Sequence, residues 1–581
     1  MNLFAIFEGE VRSCLEALRE RGELPAELAL ERWTVEPPRD PNHGQLATNA
    51  ALVLAKPART KPMAIAEPLA ELLLQVEGVA EASVAAPGFV NLRLDDGWFH
   101  RVAREALAAG ERFGLVDLGA GAKVNVEYCS ANPTGPLHVG HGRGTVYGDA
   151  LAALLAATGF AVTREYYVND GGAQIELLAR SVHHRYREAL GDDVGPLPEG
   201  YYPGDYLVTV AQALVERDGA RWRDAATEPE WMVPIADFAK TAMLARIKED
   251  LRALRVEHDV FTSEAELLAD GAVERCIAEL EARDLVYTGT LEPPKGKPIE
   301  DWEPRPQLLF RATAFGDDTD RPLQRSTGDW TYFANDIANH WDKYRRGYTE
   351  MIDVWGADHG GYVKRMQAGV EGITAGAARL EVKLCQLVQL MDGGQPLKMS
   401  KRAGRIVTLR DVVDEVGPDV FRFIMLTRKN DAALDFDLQK VVEQSKDNPV
   451  FYVQYAHARI RSVFRHAEEA GLATDALADA PLTRLADAGE RAVLEVIAQY
   501  PRTLALAAQH REPHRIAFYL EELAGAVHRL WTRGKEDPAL RFLVEEDPQL
   551  SRARLALLEA ARTVIAGGLR MLGVEPVEAM R

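Results

Sequence analysis

Cysteine is scarce in this sequence, and the few cysteines present lie far apart. The 581 residues include Cys14, Cys129, Cys276 and Cys385, with no CxxC pair among them. Neither a disulfide framework nor a thiolate zinc site is therefore indicated, and we expect reduced thiols.

The sequence also lacks the long apolar segments of membrane proteins. No apolar run approaches the roughly 20 residues that a membrane-spanning helix needs. The amino-terminal segment carries Glu8 and Glu10 within its apolar pattern. The apolar region of a secretory signal peptide does not contain such acidic residues. We therefore expect a cytoplasmic protein with no membrane partner.

Positive charge is in short supply as well. Lysine and arginine number 68 against 88 aspartates and glutamates, so the formal net charge is −20. Taken alone, this argues against a nucleic-acid partner, because phosphate neutralisation needs clustered basic residues. Basic clusters do occur at 342–348, 398–405 and 458–466. A binding face can be basic on an otherwise acidic protein, so RNA binding stays open beside the alternative of solvated surface.

The length of the chain corresponds to three or four domains of roughly 150 residues. Segments rich in proline, glycine or alanine separate periodic stretches and are predicted connectors, at 191–206, 292–307 and 471–482. Before residue 110, helical patterns alternate with short apolar runs, which indicates a small α+β domain. After residue 440 nearly every segment has helical period, which predicts an all-helical domain.

Residues 123–168 predict a βαβ unit. The pattern is that of a buried strand at 123–129, a helix at 137–159 and a second strand at 160–168. Such a unit begins a doubly wound parallel sheet, whose ligand lies at the carboxyl ends of the strands.

The predicted helix opens with HVGH, in which His138 and His141 are three residues apart. At this spacing both rings project from the same side of the first helical turn. Gly140 and Gly142 remove side chains, so a nucleotide could lie against the backbone with its phosphates near the positive end of the helix. Two imidazole donors suit the polarisation of a phosphate without a covalent step.

Other interpretations of HVGH are weaker. A GxGxxG dinucleotide fingerprint fails, because Gly144 is followed by Thr145, Val146 and Tyr147 before the next glycine. A metal site lacks a nearby carboxylate or third histidine. Two core histidines would be the default for isolated residues, but flanking glycines at a strand-to-helix turn disfavour this.

A second motif, GGQPLKMSKRAGR, places two lysines in a glycine-flanked loop. Lys398 and Lys401 bracket Met399 and Ser400. Such a segment can close over a polyphosphate and neutralise the charge that develops on a leaving pyrophosphate. A lysine pair alone is usually surface decoration, whereas its combination with HVGH is specific.

HVGH and KMSK together resemble the two signatures of class I aminoacyl-tRNA synthetases. The surrounding sequence resembles arginyl-tRNA synthetases of the bacterial type over nearly the whole chain. The segments that carry this likeness are VEYCSANPTGPLHVGHGRG, YYVNDGGAQI, TYFANDIANHWDKYRRG, IDVWGADHGGYVKR, KMSKRAG, LDFDL and NPVFYVQYAHAR.

The resemblance implies a multidomain α/β protein. It implies an N-terminal α+β domain at 1–110 that contacts the tRNA elbow, a Rossmann-like catalytic domain with insertions at 111–440, and a helical anticodon-binding domain at 441–581. It further implies a monomer that joins L-arginine to tRNA(Arg) through arginyl-adenylate, and that needs bound tRNA before it activates arginine. ATP enters with Mg²⁺ as a substrate complex, and no structural metal is expected.

The resemblance also assigns the site residues. His138, His141, Lys398 and Lys401 are the catalytic residues, and ATP contacts are expected from these four and from Gly140, Gly356, Met399 and Ser400. Arginine contacts are expected from Glu127, Ser130, Asn132, Tyr332, Asp336 and His359.

Among these, Asp336 is the expected guanidinium partner, because a carboxylate matches a planar fork of donors. Tyr332 would lie a helical turn earlier on the same face, and Glu127 with Asn132 would hold the α-amino end. The alternative for Asp336 is a helix N-cap.

Contacts to tRNA are expected at both ends of the chain, from Gln45, Asn49, Phe451, Tyr452, Tyr455, Arg459 and Met580. Gln45 stands where the family often has an acidic residue. Asn448 and Pro449 predict the start of a helix that carries aromatics among arginines, which suits stacking on unpaired bases. Bundle core is the commoner fate of such aromatics, so we expect one or two of the three to be buried.

Proteins of two other classes share parts of these signatures. Small-molecule nucleotidylyltransferases carry HxGH, but they are short and lack both KMSK at this distance and a helical tRNA domain. A non-catalytic, synthetase-like RNA-binding protein would have lost part of the two motifs, and both are present.

Overall fold

The computed structural model describes residues 1–223, 225, 227–292, 302–397 and 407–580. The four cysteines are free thiols. Within the described ranges, no helix combines the length and apolarity that crossing a membrane would require.

The helices are numbered in chain order. They are α1 Leu3–Glu20, α2 Ala50–Ala55, α3 Pro62–Leu73, α4 Asp96–Ala109, α5 Val139–Ala157, α6 Ala173–Ala189, α7 Tyr206–Asp218, α8 Glu228–Ala253, α9 Glu264–Ala269, α10 Ala272–Ala282, α11 Tyr332–Arg345, α12 Val363–Thr374, α13 Leu409–Val416, α14 Pro418–Met425, α15 Pro449–Glu469, α16 Ala488–His510, α17 His514–Glu536 and α18 Pro548–Met571.

The strands are numbered in the same way. They are β1 Val35–Glu36, β2 Leu46–Thr48, β3 Val79–Ala85, β4 Phe89–Leu94, β5 Lys123–Glu127, β6 Ala161–Val168, β7 Val260–Ser263, β8 Val286–Gly289, β9 Gln307–Phe310, β10 Arg321–Pro322, β11 Glu350–Gly356, β12 Arg379–Cys385, β13 Val388–Asp392, β14 Gln395–Pro396 and β15 Leu434–Asp437.

The chain divides into two compact units, one of residues 1–116 with 445–581 and one of residues 117–444. The first unit holds an antiparallel sheet of order β1-β2-β4-β3 with helices α1 to α4. It also holds the helices α15 to α18. The α+β and all-helical segments that the sequence predicts at the two ends of the chain are therefore both present, and they share one unit.

The second unit is built on a parallel sheet of order β12-β11-β5-β6-β7. Strand β5 lies at its centre and is buried from Val124 to Glu127, as expected for a parallel strand covered on both faces. Helix α5 connects β5 to β6, so the predicted βαβ unit is confirmed. Helices α6, α7 and α8 follow β6 and share an apolar core that includes Tyr186, Leu214 and Ile235.

Candidate active site

Several of the predicted site residues follow strand ends at the carboxyl edge of the parallel sheet. Strand β5 ends at Glu127, β11 ends at Gly356, and α5 begins at Val139. Because β11, β5 and β6 are adjacent and parallel, their carboxyl ends share one edge. This is where a doubly wound sheet binds its ligand.

His138 and His141 stack on each other, with ring centroids 3.7 Å apart and an interplanar angle of 20°. The prediction that both rings lie on the same side is therefore confirmed. The placement of His138 inside the first helical turn is wrong, because its backbone is extended (φ −116°, ψ 170°) and it occupies the N-cap. Its backbone N–H donates to Nδ1 of His141 at 3.3 Å, so the second histidine also satisfies one amide at the start of the helix.

The two glycines of HVGHG have different roles. A Cβ on Gly140 would lie 3.0 Å from the ring of His138, so the glycine leaves room for that ring. A Cβ on Gly142 would lie 2.7 Å from both Leu409 and Phe421. The expectation that Gly142 opens the backbone to a nucleotide is therefore wrong, because side chains of α13 and α14 occupy that space.

The segment that follows the second motif is attached to HVGH. Leu409 donates its backbone N–H to the carbonyl of Leu137 at 2.7 Å, and Thr408 forms an antiparallel bridge with His138. The backbone at Thr408 and Leu409 is thus hydrogen-bonded to the start of the first signature. The predicted phosphate ligands Lys398, Met399, Ser400 and Lys401 themselves lie outside the described residues.

The loop after β5 has a strained backbone. Cys129 and Ser130 both have positive φ, at 71° and 32°, which non-glycine residues rarely adopt. This conformation directs the Ser130 hydroxyl to Oε1 of Glu127 at 3.0 Å, where it also accepts the N–H of Tyr167 at 3.1 Å. Strain of this kind persists where the surroundings hold it, which is common at ligand sites.

Asn132 lies in the same loop and is oriented by α6. Its amide donates to Oε1 of Gln174 at 2.6 Å. The structure therefore brings Glu127, Ser130 and Asn132 together at one strand end, as the sequence predicts.

Asp336 lies inside α11, and the helix N-cap is Thr331, whose hydroxyl accepts from Ala334. The alternative of a capping role for Asp336 is therefore wrong. Its Oδ2 accepts the hydroxyl of Tyr362 at 2.7 Å. Enclosure of the carboxyl, with Glu264 nearby, raises the pKa of Asp336 to about 7, although the Tyr362 hydrogen bond opposes this.

A carboxyl that is almost fully buried lies near Asp336. Glu264 begins α9, is 4% exposed, and accepts the amide of Asn335 at 2.9 Å. Burial, with repulsion from Asp170, raises its pKa. The hydroxyl of Tyr167 is enclosed near these carboxyls, which together with burial raise its pKa well above its usual value.

Neither Asp336 nor Glu264 forms an ion pair within the part of the chain that the structure describes. Two enclosed carboxyl groups on adjacent elements without a cationic partner favour an incoming cation, because burial without one is costly.

Two further arginine contacts predicted from sequence are more exposed. Tyr332 begins α11 one turn before Asp336, is 46% exposed, and lies under the guanidinium of Arg325 at 5.1 Å. His359 lies in the short helical segment after β11, with its ring 6.5 Å from that of Trp355. Both side chains are therefore accessible to solvent in this structure.

Sequence reasoning missed several groups around the site, namely Tyr167, Glu264, His340, Lys343, Asp353 and Tyr362. Of these, His340 and Lys343 have a local signal, because they follow Asp336 by four and seven residues on α11 and so share its helical face. The others come from distant segments. Within the described ranges, no group of three or more histidine, cysteine or acidic side chains has the arrangement of a metal site.

In the other unit, the predicted anticodon residues form one face of α15. Phe451 stacks on Tyr455 with centroids 5.4 Å apart, and the ring of Tyr452 lies 4.5 Å from that of His528 on α17. All three aromatics are half-exposed. The expectation that one or two belong to the core is wrong, because positions such as Val453 supply the buried face instead.

Arg459 completes this face. Its guanidinium lies 4.0 Å from the ring centre of Tyr455 and 5.0 Å from that of Trp531, a residue that sequence reasoning missed. It also donates to Nδ1 of His528 at 3.0 Å. The guanidinium of Arg459 is thus held beside two aromatic rings.

The remaining predicted tRNA residues are engaged within the protein. Gln45 accepts the N–H of Leu94 at 3.0 Å and donates to Glu495 at 2.8 Å. Asn49 accepts the N–H of Thr34 at 2.8 Å.

The carboxyl-terminal segment that carries Met580 runs along α15. Gln454 donates to the carbonyl of Glu575 at 2.6 Å and accepts from Val577 at 2.8 Å, and His457 bonds the carbonyl of Val577 at 2.8 Å. These contacts place the end of the chain on the same helix as the aromatic face.

Comparison with known families gives three matches along the chain. The family described as "Arginyl tRNA synthetase N terminal domain" matches residues 8–94, "tRNA synthetases class I (R), catalytic domain" matches residues 103–202, and "DALR anticodon binding domain" matches residues 453–580.

Two curated relatives are similar over their whole length and the whole of this chain. Both are called arginine–tRNA ligase, one from Methylobacterium sp. (strain 4-46) at 59% identity and one from Parvibaculum lavamentivorans at 56%. Among solved structures, Thermus thermophilus arginyl-tRNA synthetase covers all of this chain and is itself fully covered, with a TM-score of 0.75 and 22% identity. At that identity the solved structure supports the fold.

Proposed function

The chain belongs to the arginyl-tRNA synthetase family, and from that premise we propose how its residues divide the work. The enzyme ligates L-arginine to tRNA(Arg) in two steps, with ATP consumed and AMP and pyrophosphate released. The carboxylate of arginine attacks the α-phosphate of ATP, and the terminal adenosine of the tRNA then takes the arginyl group. ATP enters as its Mg²⁺ complex, and we propose no structural metal in the protein.

Activation depends on positioning and charge stabilisation rather than on covalent chemistry. His138 and His141, stacked at the start of α5, donate to the phosphates as negative charge develops. Lys398 and Lys401, with Met399 and Ser400 between them, neutralise the leaving pyrophosphate.

The adenine base of ATP packs against the protein backbone. Gly140 and Gly356 offer backbone without a side chain to the nucleotide. The attachment of Thr408 to His138 supports a common site for both motifs.

Recognition of arginine rests on the enclosed carboxyls of Asp336 and Glu264, and their lack of a cationic partner in the described structure is the observation that carries this proposal. Asp336 reads the guanidinium, with Glu264 close enough to share it. Glu127, with Ser130 and Asn132, holds the α-amino end.

The exposed residues of the site complete the arginine pocket. Tyr332 and His359 border it at the edge of the sheet.

The tRNA is held by the other unit. The aromatic face of Phe451, Tyr452, Tyr455 and Arg459 stacks on the anticodon, and Met580 approaches it from the carboxyl-terminal segment.

The N-terminal domain of residues 1–110 contacts the tRNA elbow through the segment that holds Gln45 and Asn49. Residues 111–440 form the catalytic domain and residues 441–581 the anticodon-binding domain. We place the enzyme in the cytoplasm, where protein synthesis uses its product, as a monomer without a membrane partner.

An aminoacylation assay with purified tRNA(Arg), ATP and each amino acid in turn tests this assignment. Arginine alone should be esterified at a substantial rate. Comparable charging with lysine would mean that the pocket recognises positive charge without the planar fork, and would contradict the roles given to Asp336 and Glu264.

A further inference from the structure

We propose that Lys343 is a positioning residue for arginine binding, which holds the Glu127 carboxylate ionised and aimed at the α-amino group of the substrate. This inference rests on the proposed role of Glu127. Lys343 is not part of either signature motif, and it lies on α11 seven residues after Asp336.

The contacts of Lys343 lead directly to Glu127. The Lys343 side chain is fully buried, and its Nζ lies 2.6 Å from Oε2 of Glu127 and 3.3 Å from Oδ1 of Asp353. Asn339, one turn earlier on the same helix, adds a longer contact to Oε2 of Glu127 at 3.4 Å. Since Ser130 donates to Oε1, the carboxylate is held from both sides.

A histidine beside Lys343 balances the remaining charge. His340 places Nε2 2.9 Å from Oδ2 of Asp353 and Nδ1 2.7 Å from the carbonyl oxygen of Asp336. Both partners accept hydrogen bonds, so both ring nitrogens donate and the imidazole is a cation. The pKa of His340 is accordingly raised, with Asp353 overcoming the effect of burial.

The network therefore consists of two anions and two cations that neutralise one another. The anions are Glu127 and Asp353, and the cations are Lys343 and His340. Burial keeps the pKa of Glu127 above its ordinary value, and Lys343 is the largest of the influences that limit this rise, while Asp353 adds to it and His340 reduces it. The neighbouring pair of Glu165 on β6 and Arg346, the residue directly after α11, is 2.8 Å apart and is neutral as a unit.

The position of the network on α11 argues for a role in substrate binding rather than packing alone. Asp336, Asn339, His340 and Lys343 recur at helical spacing along one face, so the helix that reads the guanidinium also fixes the carboxylate for the other end of arginine. Without Lys343, Glu127 would be a buried carboxyl next to Asp353. Protonation would relieve that repulsion and would leave the α-ammonium of arginine without its anion.

The test is a double-mutant cycle of Lys343→Met and Glu127→Gln, measured as KM for arginine and for ATP at saturating tRNA. Lys343→Met should raise the arginine KM roughly 10- to 100-fold, as coupled members of one network do, with the ATP KM little changed. Glu127→Gln should raise the arginine KM as well. The double variant should be no worse than Glu127→Gln alone, because Lys343 acts through that carboxylate.

The pH dependence separates positioning from a general structural defect. In Lys343→Met the acid limb of arginine kcat/KM should move to higher pH, so that raising the pH recovers arginine use. The shift should vanish in the Glu127→Gln background, where Asp336 still titrates. Lys383→Met is the matched control, because Lys383 pairs with Glu381 on β12 at 2.8 Å, away from Glu127 in the sheet order, and this variant should leave arginine KM and the pH profile unchanged.

The outcomes distinguish the two proposals. A Lys343→Met loss that adds fully to that of Glu127→Gln, or that appears with no shift of the acid limb, overturns the positioning role while leaving the role of Glu127 intact. A normal arginine KM in Glu127→Gln overturns the role of Glu127 itself, and with it the inference. If Lys343→Met does not fold, the same cycle is run with Lys343→Gln, which keeps a neutral donor and predicts the same shift.

Discussion

Tyr362 donates its hydroxyl hydrogen bond to Oδ2 of Asp336 at 2.7 Å. The tyrosine comes from the segment after β11 and the aspartate from the middle of α11. The bond fixes the orientation of the carboxylate across two elements. It leaves Oδ1 without a hydrogen bond from any described residue, so a bidentate ligand can take that oxygen and share the other.

Asp336→Asn should therefore impair the use of arginine specifically. Loss of one partner from a desolvated charge pair costs on the order of 2 to 5 kcal/mol, which corresponds to roughly 30-fold to several-thousand-fold in kcat/KM. The KM for ATP should barely move. Citrulline has the same length as arginine but no charge. The ratio of kcat/KM for arginine to kcat/KM for citrulline should therefore be smaller in the variant.

Asp342→Asn is the matched control for that change. Asp342 lies on the same helix and pairs with Arg346 at 2.8 Å at the surface. Its replacement should leave arginine kinetics near normal. Near-normal arginine kinetics in Asp336→Asn itself, or an equal loss with ATP, would move the specificity role to another carboxylate, with Glu127 next.

The pKa of Asp336 gives a pH prediction. In the absence of a bound cation, enclosure raises this pKa to about 7. Above that pH the carboxylate is ionised and can pair with a guanidinium, whereas below it arginine binding must first expel the proton. The arginine KM should therefore rise by up to about tenfold for each pH unit below that value, because the ionised fraction falls by that factor.

Steady-state kinetics from about pH 5.5 to about 8.5 at saturating ATP and tRNA would check this, since kcat/KM reports the free enzyme. Asp336→Asn should remove the rise of the arginine KM at acid pH. Tyr362→Phe should move it to higher pH, because the hydroxyl stabilises the ionised form. An arginine KM that is flat across the range would show that another group controls binding.

His141 combines a catalytic and a capping contact, and the two can be separated. His141→Ala should lower adenylate formation by about 10²- to 10³-fold, as the loss of one preorganised donor does. It should also cost about 1 kcal/mol of stability, because His141 accepts the N–H of His138. His141→Asn retains an acceptor, so it should lose the activity while keeping more of the stability.

Lys401→Ala should lower adenylate formation on the same scale as His141→Ala. The tRNA KM should stay near normal in all three variants. A collapse of tRNA binding would instead make these residues structural or RNA contacts.

The sequence predicts a structural feature well when the residues that form it lie close together along the chain. The βαβ unit was predictable because a strand, a helix and a strand follow one another within residues 123–168, each with its own period. The order β12-β11-β5-β6-β7 was not, because β11 lies more than 200 residues after its neighbour β5. The pair of Lys343 and Glu127 could not be predicted for the same reason, because the two residues are 216 positions apart in the sequence.

Local pattern also failed where two interpretations share one period. Phe451, Tyr452 and Tyr455 have helical spacing that suits either a core face or a binding face. The choice depends on where α17 lies, since its His528 packs beside Tyr452 and Tyr455 and its Trp531 lies beside Arg459. Likewise, nothing near Gly142 in the chain indicates that Leu409 and Phe421 fill the space of its missing side chain.

Activation of arginine should require tRNA, as the family resemblance implies. Arginine-dependent exchange of pyrophosphate into ATP should be nearly absent from the enzyme alone and should appear when tRNA(Arg) is added. A tRNA that lacks its terminal adenosine has no acceptor for the arginyl group, so it distinguishes the effect of tRNA binding from that of aminoacylation. Full exchange without RNA would contradict this expectation while leaving the fold and the site unaffected.

The aromatic face on α15 should control tRNA binding without touching the chemistry. Tyr455 has one ring face against Phe451, and the guanidinium of Arg459 lies 4.0 Å from its centre, so the three side chains form one platform. Stacking of a base on such a ring contributes about 1 to 3 kcal/mol. Tyr455→Ala should therefore raise the tRNA KM by roughly 5- to 150-fold at 1.4 kcal/mol per decade.

Trp531→Ala should have an effect of the same kind, because Trp531 is the second ring beside Arg459. At saturating tRNA, both variants should retain normal KM values for arginine and ATP. Phe518→Ala is the matched control, since Phe518 is also an exposed aromatic on α17, 43% accessible, and lies roughly 15 Å along the helix before His528 at 1.5 Å per residue. If Phe518→Ala weakened tRNA binding as much as Tyr455→Ala, the effect would reflect the helical domain in general. An unchanged tRNA KM in both Tyr455→Ala and Trp531→Ala would remove this face from the tRNA interface, and would turn attention to the carboxyl-terminal segment that Gln454 and His457 hold against α15.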